Sequence, residues 1–203
     1  MPDHPVRRLG LIAVVLAVAI TGCTTSQAGT AIPQDTITEV ARPAATTTRR
    51  ADRPRELKLD NIRPCELLTP AQRQELKIDQ PFKELTEYNF NAPVCDFHSN
   101  PETASIVFVV LLDRDADFFA PGKLAAETRA IRVLGFPAFE AHVKQGKPGN
   151  EGCSVNVGVA DGQVLRTQYV EQGRYKDPLS HEELCRRATR NAEIAVGNLL
   201  ARG

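Results

Sequence analysis

The chemistry available to this chain is concentrated in five cysteines, Cys23, Cys65, Cys95, Cys153 and Cys185. A thiol can carry a lipid, close a disulfide or ligate a metal, and spacing is what separates these uses. Cys23 stands apart from the other four. Arg7 and Arg8 precede an apolar run over residues 9–20, and Thr21 and Gly22 bring small residues up to Cys23. A positive n-region, a short h-region and a small-residue cleavage site form a secretory signal, and a cysteine just after that site makes it a bacterial lipoprotein signal. Residues 1–22 are read as the signal peptide, and Cys23 as the first residue of the mature protein. It would carry acyl chains such as palmitate, each anchoring by about 0.8 kcal/mol per buried CH₂. The apolar run is too short for a transmembrane helix, which needs about 20 residues. The expected location is the extracytoplasmic face of the cell membrane.

The other four cysteines are read as two disulfides, the usual state of paired cysteines in an exported chain. None has the C-x₂₋₄-C spacing of a structural zinc site, so no metal is expected. Four cysteines allow three pairings, and spacing does not choose among them.

Other residues with chemical potential fit no catalytic pattern. His181 and Cys185 lie four apart, a helical spacing that suits a metal or a nucleophile, but a disulfide consumes Cys185. Asp113, Asp115 and Asp117 alternate like a calcium loop. The sixth position, however, is Phe118 where the loop needs glycine, and the twelfth is Leu124 where it needs glutamate. Gly146-Lys147 lacks the glycine spacing and the following Ser or Thr of a phosphate loop. There is no G-x-S-x-G elbow, no H-E-x-x-H and no dinucleotide fingerprint. His98 and His142 also belong to no recognisable constellation. The chain is therefore expected to be a non-enzyme without a cofactor.

Composition narrows the partners. Basic and acidic residues balance at 25 each, and cleavage before Cys23 leaves 23 against 24. Nucleic-acid binding needs a basic face that such a balance does not offer. Residues 23–56 form a tether: from residue 24 on they hold eight threonines, six alanines and three prolines, with no aromatic residue. Such a segment buries too little apolar surface to fold. As a coil it spans on the order of 30 Å, enough to lift a domain off lipid headgroups.

The folded domain is assigned to residues 57–203. Thr69-Pro70-Ala71-Gln72 is a helix start, with Thr69 as cap, Pro70 at the first helical position and Gln72 closing a capping box. This helix runs to about Lys77. Residues 82–90 are ambiguous. Residues 94–99 alternate, placing Cys95 and Phe97 on one face and Asp96 and His98 on a solvated one. Residues 105–112 read as a buried central strand. A short helix is expected over 123–131 and a strand over 138–144. Cys153, Val155, Val157 and Val159 alternate up to Asp161-Gly162, a hairpin turn, and residues 163–170 return. Ser180 and Glu183 form a second capping box ahead of a helix with Leu184, Ala188, Ala192, Ala195, Val196 and Leu199 on one stripe.

These features resemble actinobacterial envelope lipoproteins carrying domain of unknown function 3558. The resemblance rests on the lipobox and Thr-rich tether, Pro64-Cys65-Glu66-Leu67-Leu68-Thr69, and Cys95 followed by an aromatic. It rests further on Gly135-Phe136-Pro137-Ala138, the Cys153 strand, and Cys185 leading an alanine-rich helix. It implies an extracytoplasmic α+β domain with two disulfides and no established reaction. One departure is Phe97, where tryptophan is common in the family.

The expected fold is α+β, a single antiparallel sheet with N- and C-terminal helices packed on one face. Cys65 and Cys185 both open helices on that face, so they are expected to pair, leaving Cys95 with Cys153 between strands. Phe118, Phe119, Phe136 and Phe139 are candidates to line an apolar pocket, or else they close the core beneath a long connection. The first function expected is binding of an envelope lipid or small ligand. The alternative is an accessory module that binds a membrane protein of a secretion, transport or signalling complex. A hydrolase ranks below both. Cys23→Ser is expected to move the protein from the detergent-rich to the aqueous phase in detergent phase separation. Unchanged partitioning would refute lipidation.

Overall fold

The computed structural model describes residues 53–143 and 149–202. The signal, Cys23 and residues 24–52 of the tether lie outside the described residues, as does most of the loop containing Gly146-Lys147. Seven strands form one antiparallel sheet: β1 (Lys83–Glu87), β2 (Ala92–Ser99), β3 (Ala104–Leu111), β4 (Thr128–Val133), β5 (Phe136–Val143), β6 (Gly152–Ala160) and β7 (Gln163–Glu171). Their spatial order is β1-β2-β3-β7-β6-β5-β4. The chain lays down one three-stranded meander, crosses the sheet, and lays down a second of four strands. The last strand returns to pair with β3.

Strand alternation sorts the residues onto two faces. Cys95, Phe97, Phe108, Phe136, Val155, Val157 and Leu165 join one buried cluster with the helix that covers it. This helix, α2 (His181–Arg202), is 22 residues long. Its stripe of Leu184, Ala188, Ala192, Ala195, Val196 and Leu199 is buried as its periodicity predicts. Three alanines in that stripe let the helix axis come close to a flat sheet. Among the described residues no helix is long and apolar enough to cross a membrane.

The opposite face is covered in part by the connection from β3 to β4. It is fastened early, where Arg114 N–H donates to the Gly162 carbonyl at 3.0 Å. Ala116–Phe119 then form a 3₁₀ turn that buries Ala116 and Phe119. Gly158 on β6 lies beneath it, and a Cβ there would come within 2.9 Å of the Ala116 Cβ. At the β6–β7 turn Gly162 has φ +68°, as a tight hairpin at Asp161-Gly162 requires.

The first helix, α1 (Pro70–Glu75), starts as predicted, with both halves of the Thr69/Gln72 capping box formed. It buries none of its own residues. Leu67 and Leu68 just ahead of it fill the core instead. Ser180 caps α2 by accepting from the Glu183 N–H at 3.2 Å, while the Glu183 carboxylate turns to Arg186 and Arg187.

Two expectations are corrected. Residues 123–131 do not form a helix. Thr128–Val133 is an edge strand paired with β5 along its whole length. Its Thr, Ile and Val suit a strand, and Ile131 and Val133 turn towards the core. The disulfides are Cys65–Cys95 and Cys153–Cys185, not Cys65–Cys185 and Cys95–Cys153. The Pro64–Glu66 turn packs against β2, so Cys65 meets Cys95, while α2 lies over β6 and β7. Cys95 and Cys153 sit on strands separated by β3 and β7 and cannot reach each other. Each bridge thus ties a capping segment to the sheet. Replacing Cys153 and Cys185 together by alanine is expected to cost about 2–4 kcal/mol in chemical denaturation. A non-reduced peptide map of that variant should still contain the Cys65–Cys95 peptide.

Candidate functional site

Where the first turns of α2 pass the β4 edge, the two walls leave an open cleft of about 810 Å³. Strand pairing builds one wall. Glu140 lies opposite Val155 and His142 opposite Cys153, so both carboxylate and imidazole face the helix. Glu127 extends β4 by one residue, its carbonyl accepting from the His142 N–H at 3.1 Å. Arg129 reaches across the pair and donates to Glu140 at 3.0 Å. The helix supplies the other wall with His181, Arg186 and Glu193, and Cys185 holds it in place through its bridge to Cys153.

The two histidines meet at one end of this cleft. Their rings stack at 3.8 Å between centroids, with planes 19° apart. His142 is only 7% exposed, whereas His181 opens α2 at the surface. The second nitrogen of His142, Nε2, lies 3.3 Å from Glu151 Oε2. Desolvation, and then the charge His142 would carry, hold the His181 imidazole below its ordinary value; Glu140 and Glu127 oppose this without reversing it. This favours the neutral form of His181.

A second polar network flanks the cleft on the same helix. Arg187 joins Glu183 at 2.6 Å, Glu102 at 2.8 Å and the Tyr169 hydroxyl at 2.8 Å. Arg186 adds two hydrogen bonds of 2.7 Å to Glu183. These donors, Arg186 first and then Arg187, hold the Glu183 carboxyl down at about 2. Lys77 and then Arg187 lower Glu102 in the same way.

The phenylalanines singled out in the sequence are divided by the sheet. Phe136 is fully buried on the helix side. Phe119 and Phe139 share the smaller cluster on the other side, and Phe118 packs edge-on to Phe119 at 5.1 Å. Phe90 joins them, with Arg114 4.6 Å above its ring and Arg166 at 5.7 Å. Burial lowers Arg166 to about 10. Phe139 also borders a shallow hollow of about 360 Å³ with Pro137 and Arg132. Phe136 cannot line a common pocket with the other three.

The acidic turn has structural uses: Asp113 pairs with Arg114, and Asp115 accepts from the Gly162 N–H at 2.7 Å. Asp96 and His98 share a face as expected but are half-buried, with His98 between Ser105 and Asn100. Sequence reasoning treated His142 and His181 separately and passed over Glu127 and Glu140. The signal that could have found part of the set was the strand alternation of residues 138–144, which aligns Glu140 with His142.

Residues 18–198 match the family described as protein of unknown function (DUF3558). The chain belongs to the DUF3558 family. No curated protein matches it, and no solved structure does. Membership brings this DUF3558 domain no assigned reaction, so its chemistry is read from the cleft alone. Because Glu183 is depressed in the folded state, its contribution is present above the unfolded value of about 4.3 and is lost as pH falls towards 2. Glu183→Gln is expected to lower stability by about 1 kcal/mol or less at pH 7. The same variant should flatten the fall in melting temperature between pH 5 and pH 2.

Proposed function

We propose that this protein is a non-enzymatic binding domain, held by lipid at Cys23 on the extracytoplasmic face of the membrane, whose cleft beside α2 takes a polar, charged ligand. The observation that carries this reading is the lining of the cleft. Guanidinium groups from Arg129 and Arg186 stand with carboxylates from Glu127, Glu140 and Glu193 around an open volume of about 810 Å³. Pockets for acyl chains are lined by apolar side chains, with a few polar groups to orient the ligand. Here no phenylalanine or tyrosine lines the cleft, and the buried ones pack on the far side of the sheet or in the core. The ligand class favoured is therefore a small ionic molecule or an ionic lipid headgroup, rather than a lipid tail. The anchor is supported by the charged, apolar and small-residue order of residues 7–23.

The second reading, an accessory module for a membrane protein, is favoured by the other edge of the sheet. Among the described residues no strand pairs with the outer edge of β1, and Leu85 within it and Tyr88 just after it are 52% and 95% exposed. An exposed edge strand with large apolar side chains invites strand addition by a partner.

Native mass spectrometry of the gently extracted full-length protein separates the two. A discrete polar adduct that is lost in Arg129→Ala is expected. An adduct carrying acyl chains whose retention also depends on Arg129 assigns the headgroup as the ligand, and a water-soluble adduct assigns a free small molecule. A bare polypeptide that crosslinks through residues 85–88 to a membrane protein would overturn the cleft reading in favour of the second.

A further inference from the structure

Glu127, His142 and His181 each place one ligand-type atom so that all three lie within 4.8 Å of one another. We propose that these three residues form a binding site for a divalent metal ion of borderline softness, of which zinc is the type. Two imidazoles with one carboxylate are a recurrent donor set for zinc, which accepts nitrogen at about 2.0–2.1 Å and oxygen at about 2.0–2.2 Å. In a tetrahedral site those bond lengths separate the donor atoms by about 3.4 Å, so the three must close by roughly an ångström.

The protein supplies what that closure needs. His142 is held, buried in β5 with Nε2 against Glu151. A carboxylate on one imidazole nitrogen fixes the tautomer and leaves the lone pair on the other, Nδ1, which is the usual outer support of a metal-bound histidine. His181 and Glu127 are exposed, and their side chains can rotate without opening the core. They must rotate, because the lone pairs of stacked rings run parallel and cannot converge on one ion. Metal binding is therefore coupled to breaking the His142–His181 stack. Cys153 and Cys185 lie close by, but their sulfurs are joined to each other and donate nothing. Glu140 already accepts from Arg129. Three protein donors leave a tetrahedral ion one further position, open to water or to an anionic group.

Glu127 and His181 also line the cleft, but metal binding here does not require the cleft to take any other ligand. Isothermal titration of the tag-free full-length chain in mild detergent with Zn²⁺ tests it. One equivalent is expected to bind, with no heat from Mg²⁺, which demands an oxygen-rich octahedral set. His181→Ala and Glu127→Gln should each weaken Zn²⁺ binding at least tenfold, and Glu151→Gln by about tenfold through the orientation of His142. His98→Ala is expected to change nothing. Because His181 and Glu127 are at the surface, their variants keep the fold, which circular dichroism verifies. Absence of Zn²⁺ binding, or wild-type affinity in both the His181 and Glu127 variants, would overturn the proposal. An empty cleft in mass spectrometry with intact Zn²⁺ binding would leave the metal site standing and remove only the ligand reading.

Discussion

The pairing of β3 with β7 is the constraint on which the rest of the molecule depends. Eight consecutive residue pairs, from Ala104 with Glu171 to Leu111 with Val164, join two meanders that are distant in sequence. Each meander alone would be a small sheet with an apolar face that must be buried against another element. Joined, they present a continuous surface on which Phe108, Leu165, Val155 and Val157 form the floor for α2. The register also decides which side chains share that floor. A slip by one residue would turn Phe108 and Val110 to the opposite face and replace them with Val107 and Val109.

On this floor, α2 is seated by small residues and fastened by polar ones. Ala188, Ala192 and Ala195 let its axis approach the strands, and Cys185 bonds it to β6. Glu171, almost fully buried at the end of β7, accepts from the Leu179 N–H at 2.9 Å and fixes the segment leading into the helix. Arg187 then gathers Glu102, Tyr169 and Glu183 into one charged network. The other bridge, Cys65–Cys95, does the same for the segment entering the domain. Just ahead of residue 57, Arg53 pairs with Asp161 and Arg55 donates to the Leu200 carbonyl, so these two residues are also held against the sheet and α2.

The cleft follows from the same geometry. The helix lies chiefly over β6 and β7 and packs less closely on β5 and β4, leaving the cleft between its first turns and the Glu127–Arg129 end of β4. Charged residues at alternate positions of β4 and β5 therefore face charged residues on the helix across a gap. Arg129, Glu140, His142 and His181 come together because the start of α2 passes this end of the β4–β5 pair.

By itself the sequence determined the local elements and their faces. Thr69-Pro70-Ala71-Gln72, Asp161-Gly162, the alternation of residues 94–99 and the stripe of α2 all depend on neighbours within a few residues, and they formed as read. Membership of the family was legible for a similar reason, because its marks are short motifs in a fixed order. Tertiary structure decided the rest. Cysteine pairing depends on which segment lies over which strand, and no spacing encodes that. Thr128–Val133 was a strand only once β5 lay beside it to pair with. Four phenylalanines close in sequence were divided by the sheet, because Phe136 and Phe139 are three apart on one strand and so point to opposite faces. The stacked histidines come from β5 and the first residue of α2, far apart along the chain, and only the packing of helix on sheet could bring them together.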